Sequence, residues 1–128
     1  GIPLVADESV NGPGDAAEAS RLGSCAAATV KLSKIGGLEV RLGGTLPTYL
    51  SSALDGPVGI AAAAHAAQTL DPGLPWPGMA HGLATGRLFV EELSENGPLT
   101  VGNELEAPSS GYGLGIELDE EVLASCRL

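Results

Sequence analysis

With 128 residues, the chain suits one domain or part of a larger one, since domains commonly run about 100–150 residues. Its 16 acidic and 6 basic residues leave a net charge of −10, which repels nucleic-acid backbones and anionic membrane surfaces and argues against both as partners. Aromatic residues are only 3% of the chain and glycine numbers 19, so any core must be built from small and aliphatic side chains that approach closely.

The stretch Ile2–Ser9, IPLVADES, is an apolar run that stops at Asp7-Glu8, the pattern of a buried parallel strand delivering carboxylates to its C-terminal end. Asn11-Gly12-Pro13-Gly14 reads as a turn, with Asp15 as N-cap of a short helix Ala16–Leu22 that ends at Gly23. A second strand over Ala27–Leu32 carries Lys31 among apolar neighbours before Gly36-Gly37 close it. The short helix between the two strands makes parallel pairing the natural outcome. Leu38–Leu42 begins like a helix that Gly43-Gly44 stop, and Pro47–Leu50 reads as the next strand, ending in Ser51-Ser52. Asp55-Gly56-Pro57 opens a helix reaching Leu70, which Asp71-Pro72-Gly73 end. After the Pro-rich loop Leu74–Gly78, Met79–Gly82 reads as a fourth short strand or its remnant, and Thr85–Leu93 as a brief helix. Leu99–Leu105 reads as extended, Pro108–Gly115 as a Gly/Ser loop, and Asp119 as the cap of a last helix, Glu120–Cys126.

This alternation predicts an α/β fold of about four parallel β/α units, with its functional face at the strand C-termini. Four such units are half of a (β/α)8 barrel, and a free half leaves exposed parallel edges. Burying a carboxylate or an ammonium costs on the order of several kcal/mol unless it is paired, metal-bound or shifted in pKa, so Asp7-Glu8 and Lys31 mark a candidate site. The plainer readings are a strand-end carboxylate pair that caps the next turn and a lysine that snorkels to the rim. Lys34 lies beyond the strand end, at the rim. His65, inside an Ala-rich helix, reads as structural, whereas His81 lies near a strand end within reach of a ligand. Gly36-Gly37 read as turn glycines, Asp119-Glu120-Glu121 as a helix cap and solvated face, and Trp76 as a loop anchor. Cys25 and Cys126 form no CxxC pair, which leaves zinc and redox motifs unsupported. Reduced structural thiols are expected, with a disulfide the alternative. No basic segment leads into an apolar one at the start, and the alanine run Ala61–Ala64 is too short to span a bilayer. The chain reads as cytoplasmic.

Five ordered motifs carry a resemblance: ADES at Ala6–Ser9, VKLSKIGGL at Val30–Leu38, YLSSALDGPVG at Tyr49–Gly59, HGLATGRLF at His81–Phe89 and GYGLGIELDEEVLA at Gly111–Ala124. Together they resemble the C-terminal part of enolase-superfamily enzymes, within them the muconate-lactonizing subgroup, and especially o-succinylbenzoate synthases. The resemblance implies that residues 1–93 are β/α units five to eight of a (β/α)8 barrel, and that residues 94–128 return toward an N-terminal capping domain. It implies Mg2+ held by three carboxylates on successive strands, with Asp7 as the third. Lys31 would face the substrate, as base in racemisation or as a cation steadying an enediolate in dehydration, with Glu8 and Lys34 in supporting places.

Ser51 and Ser52 match the loop that holds the substrate carboxylate, Asp55 an acidic position soon after it, and Gly82 the eighth-strand end that lines the pocket. The implied activity is dehydration of a cyclohexadiene carboxylate to o-succinylbenzoate in menaquinone synthesis. N-succinylamino acid racemase, dipeptide epimerase and muconate cycloisomerase share its metal-and-lysine chemistry. Leu38–Thr45 is shorter than the helix the family places there. The first two metal carboxylates, the second-strand lysine pair and the capping domain have no counterpart in these residues. The chain alone is therefore expected to be inactive, and to self-associate or pair with an N-terminal half. A half-barrel that self-associates without catalysis is the alternative of another class.

Overall fold

The computed structural model describes residues 1–36, 46–70 and 76–126. Strands β1 (Val5–Ala6), β2 (Ala27–Val30) and β3 (Thr48–Leu50) form a parallel sheet in the order β1-β2-β3. Val5 pairs with Ala27, Thr29 with Tyr49 and Val30 with Leu50. The fourth strand expected over Met79–Gly82 is reduced to one parallel bridge between Ser51 and Gly82. There the Gly82 N–H donates to Leu50 O at 2.8 Å and the Ser52 N–H to Gly82 O at 2.9 Å.

Side chains alternate across a strand, and here one face of the sheet makes the core. Ala6, Ala28, Val30 and Leu50 meet Ala16 of helix α1 (Pro13–Leu22) and Ala63 and Ala66 of helix α3 (Pro57–Ala67), with Val10 and Leu83 closing the ends. Leu50 and Val30 are the largest side chains fully withdrawn from water. Alanine on both partners lets α3 lie close against the sheet, which is how a chain poor in aromatics reaches close packing.

Several elements differ from the sequence expectation. Of Ile2–Ser9 only Val5–Ala6 is strand, and Ile2 and Leu4 are exposed. The reason is position: β1 stands at the edge of the sheet and pairs on one side only. Helix α1 starts at Pro13 with Gly12 as its N-cap residue, and Asp15 sits inside the first turn, where its Oδ2 accepts from the Asn11 N–H at 2.9 Å. Proline at the helix start needs no N–H partner, which moves the boundary forward. The αL residue Gly23 (φ 59°) ends α1 where expected.

Strand β2 stops at Val30, and Lys31 becomes the N-cap residue of a single turn, α2 (Leu32–Ile35), closed by Gly36 at φ 81°. Helix α3 ends at Ala67, after which Gln68, Thr69 and Leu70 continue as hydrogen-bonded turns. Thr85–Leu93 contributes only a 3-10 turn, Ala84–Leu88. Leu99–Leu105 is a hairpin of β4 (Leu99–Val101) and β5 (Glu104–Glu106), reversed at Gly102 with φ 62°.

Helix α4 (Glu120–Ser125) is capped as expected, Asp119 Oδ1 accepting from the Glu121 and Val122 N–H groups at 3.0 Å each. Both cysteines are free thiols, Cys25 half-buried and Cys126 exposed. Trp76 is half-buried in its loop, and its carbonyl accepts from the Met79 N–H at 3.3 Å. Among the described residues no helix is long and apolar enough to cross a membrane. The short Leu38–Thr45 connection and the Asp71-Pro72-Gly73 helix stop lie outside the described residues.

Leu50 is fully buried between sheet and helices, whereas Leu22 at the end of α1 is mostly exposed. Leu50→Ala should therefore lower stability by about 3 kcal/mol and Leu22→Ala by no more than about 0.5 kcal/mol. Urea denaturation of the two variants tests the difference.

Candidate active site

Parallel pairing brings the C-terminal ends of β1, β2 and β3 to one edge, so Asp7, Lys31 and Ser51 follow one another along it. Open parallel sheets place ligands at this edge. The Lys31 side chain is only 10% exposed. Its Nζ donates to Asp7 Oδ1 and, at 2.8 Å, to Glu8 Oε1, while the carboxylate side chains stay 48% and 67% exposed. The lysine stem is thus packed away and its charge is met at the surface by two opposite charges, the arrangement that makes withdrawing an ammonium from water tolerable.

The hydrogen bond that Lys31 donates to Asp7, then the one it donates to Glu8, holds the Lys31 pKa above the ordinary lysine value against the opposing effect of burial. Lys31 is therefore an ammonium at neutral pH. The same contact, first among its causes, holds the Glu8 carboxyl below its ordinary range.

The carboxylate pair is set by its turn. The Val10 N–H donates to Asp7 O, and Asn11 Nδ2 donates to Glu8 O, each at 3.1 Å. Lys34 lies exposed on α2 and makes no ion pair among the described residues, and its charge is only a minor cause of the Glu8 shift. On strand β2, two residues before Lys31, Thr29 is buried, and its Oγ1 has no hydrogen-bond partner among the described residues. Strand alternation turns Thr29 away from the alanine-rich core.

Beyond β3, the Ser51 N–H donates to Val30 O at 2.9 Å, and Ser51 is half-buried. Ser52 is buried, and its Oγ accepts from the Asp55 N–H at 2.8 Å and from Thr85 Oγ1 at 2.7 Å. Asp55 Oδ2 in turn accepts from the Ala53 N–H at 3.0 Å. Ser52 and Asp55 therefore hold their own loop in shape, while Ser51 and Gly82 stand at the edge. Between them Leu54 adopts φ 64°, a left-handed conformation that costs a residue with a Cβ roughly 1–2 kcal/mol. Neither Thr85 nor the strained Leu54 carries a sequence signal, because both arise from contacts across the fold.

His81 does not face this edge as a free ligand. Its Nδ1 accepts from the Leu50 N–H at 3.1 Å, completing a hydrogen bond that the truncated fourth strand leaves open. Burial pushes its pKa down. His65 is structural, its Nε2–H donating to Leu114 O at 3.2 Å.

A hard divalent cation such as Mg2+ takes an octahedral set of oxygen ligands. No group of three or more His, Cys, Asp or Glu side chains converges among the described residues, and Asp7 and Glu8 are both engaged with Lys31. These residues alone do not fit such an ion. Asp7 gives Oδ1 to Lys31, which leaves Oδ2 as its remaining oxygen at the edge.

A family model described as "Enolase C-terminal domain-like" matches residues 1–122. The chain is 37% identical over 100 residues to the o-succinylbenzoate synthase of Mycobacterium ulcerans, covering 73% of this chain and 29% of the relative. It is 30% identical over 129 residues to muconate cycloisomerase 1 of Rhodococcus opacus, covering 95% of this chain and 33% of the relative. The solved muconate lactonizing enzyme from Pseudomonas putida superposes with a TM-score of 0.84 at 30% identity, over 97% of this chain and 35% of that one. The chain thus spans about a third of the length of the proteins it matches.

Since burial depresses the pKa of His81, the unfolded chain binds its proton more readily than the folded one. The stability this contributes is complete above the ordinary histidine range and is lost as the pH falls through that range toward the lowered folded value. Denaturation midpoints measured between about pH 7.5 and pH 5 should fall in the unsubstituted chain and fall less in His81→Asn.

Proposed function

Because the chain belongs to the enolase C-terminal domain-like family, we propose that it is the C-terminal part of a larger enzyme acting on a small carboxylate, most like o-succinylbenzoate synthase. The observation that carries this reading is Lys31, its stem buried and its Nζ on Asp7 and Glu8 at the C-terminal strand edge. In this reading residues 1–93 are half of a (β/α)8 barrel, and residues 94–128 return toward a capping domain. The orphaned Thr29 hydroxyl supports the half-barrel, since its face awaits partners from outside the described residues. Pairing with an N-terminal half, or self-association, covers the open β1 edge.

The reaction would be loss of water from a cyclohexadiene carboxylate through an enediolate, in menaquinone synthesis, in the cytoplasm. Lys31 holds its charge opposite the anion that develops, Glu8 keeps it in place, and Ser51 offers a hydroxyl to the substrate carboxylate. Ser52 and Asp55 keep that loop rigid, and Gly82 leaves the edge beside it free of side chains. Preorganised charge of this kind is often the largest single contribution to catalysis. The Mg2+ that the family resemblance implies would supply further charge stabilisation, with Asp7 as one ligand and the others from outside this chain.

N-succinylamino acid racemase and dipeptide epimerase activities draw on the same residues. Muconate cycloisomerase has the support of similarity over 95% of this chain.

In the full-length enzyme, Lys31→Ala should lower kcat for o-succinylbenzoate formation at least about 100-fold with an unchanged circular dichroism spectrum. Near-normal kcat would remove Lys31 from the site. The isolated chain should show no turnover with Mg2+ and should sediment as an oligomer, and a well-folded monomer would show that the open edge is tolerated.

A further inference from the structure

Leu54 is the single non-glycine residue with positive φ among the described residues, at 64°. Glycine and asparagine occupy this region far more readily than leucine does, so the surroundings hold Leu54 against its own backbone preference. Its side chain does not serve the core, because Leu54 is 61% exposed.

The conformation is imposed from both flanks. Ser52, buried before it, accepts from Thr85 Oγ1 and from the Asp55 N–H, and Asp55 after it accepts from the Ala53 N–H. Upstream, the Ser51 and Ser52 N–H groups are fastened to Val30 O and Gly82 O. Strain that the surroundings over-determine in this way concentrates at ligand sites. The loop follows the C-terminal end of β3, which lies on the same sheet edge as the ends of β1 and β2, so a strained, solvated apolar group leaves the edge that carries Asp7 and Lys31.

We infer that Leu54 is a specificity-determining contact, its isobutyl group covering the apolar part of the carboxylate substrate whose charged end faces Lys31 and Ser51. The inference rests on the function proposed above and adds to it the position that reads the hydrocarbon portion. The clamp on Ser52 and Asp55 fixes where that group stands before substrate arrives, so little ordering remains to be done on binding.

The test compares Leu54→Asn and Leu54→Ala with the unsubstituted full-length enzyme, reading KM and kcat for o-succinylbenzoate formation together with the urea midpoint. Asparagine accepts the left-handed backbone and alanine does not, while both remove the isobutyl group. Both variants should raise KM about tenfold with kcat within about twofold, as the loss of uniform binding requires. The urea midpoint should rise in Leu54→Asn alone. KM within about twofold of the unsubstituted value in both variants would overturn the inference. A lowered urea midpoint in Leu54→Asn would also overturn it, because Leu54 would then be a packing residue. An unsubstituted enzyme inactive on the cyclohexadiene carboxylate and on muconate would overturn the proposed function, and this contact with it.

Discussion

The edge of this protein depends on one shared cation. Lys31 leaves strand β2 with most of its side chain out of water and brings its ammonium under two carboxylates of the neighbouring turn. Without them the lysine would have to turn outward or give up its charge. Without the lysine, two adjacent carboxylates would repel each other at the end of a two-residue strand. The contact spans 24 positions in the chain and ties β1 to β2 just beyond a ladder of only two paired positions. It therefore holds the sheet and fixes the position of the ammonium in one stroke.

Everything behind that edge is arranged to let it stand still. Alanine-rich surfaces on β2 and α3 bring helix and sheet close together. The strand ends inherit the rigidity of that packing, since a close-packed interior deforms little. Where the sheet runs out, side chains replace the ladder. The His81 imidazole accepts the Leu50 N–H, and beyond β3 the Ser52 hydroxyl accepts from Thr85 and from the Asp55 N–H while the Asp55 carboxylate accepts from the Ala53 N–H. The chain thus spends polar side chains on fixing backbone near the site, and the groups left at the rim are few.

What could be read from the sequence was local. Gly23 as a helix stop and Asp119 as a cap follow from conformational preference within one turn, and both stand where expected. Lys31 could be picked out because charge within an apolar run is costly, whereas Asp7 and Glu8 stand largely in water at the strand end, so the burial expected of them does not hold. Asp15 was misplaced because Pro13 starts α1 earlier than the first apolar residue suggests. The exposure of Ile2 and Leu4 was hidden, because an edge strand and a central strand carry the same apolar residues and differ only in their neighbours. His81 and Thr85 were beyond reach for a similar reason, each owing its place to a partner more than thirty positions away.

Gly82 sets a boundary on how such a site can diversify. A Cβ built there would stand 3.0 Å from Ser51 Oγ, so the short bridge that extends the sheet has no room for a side chain without disturbing the serine. Room for a larger side chain lies instead along the loop from Ser51 to Asp55, where hydrogen bonds fasten the backbone while Leu54 is largely exposed. The bridge is therefore the crowded part of this edge, and the loop that leaves it toward Leu54 is the open part.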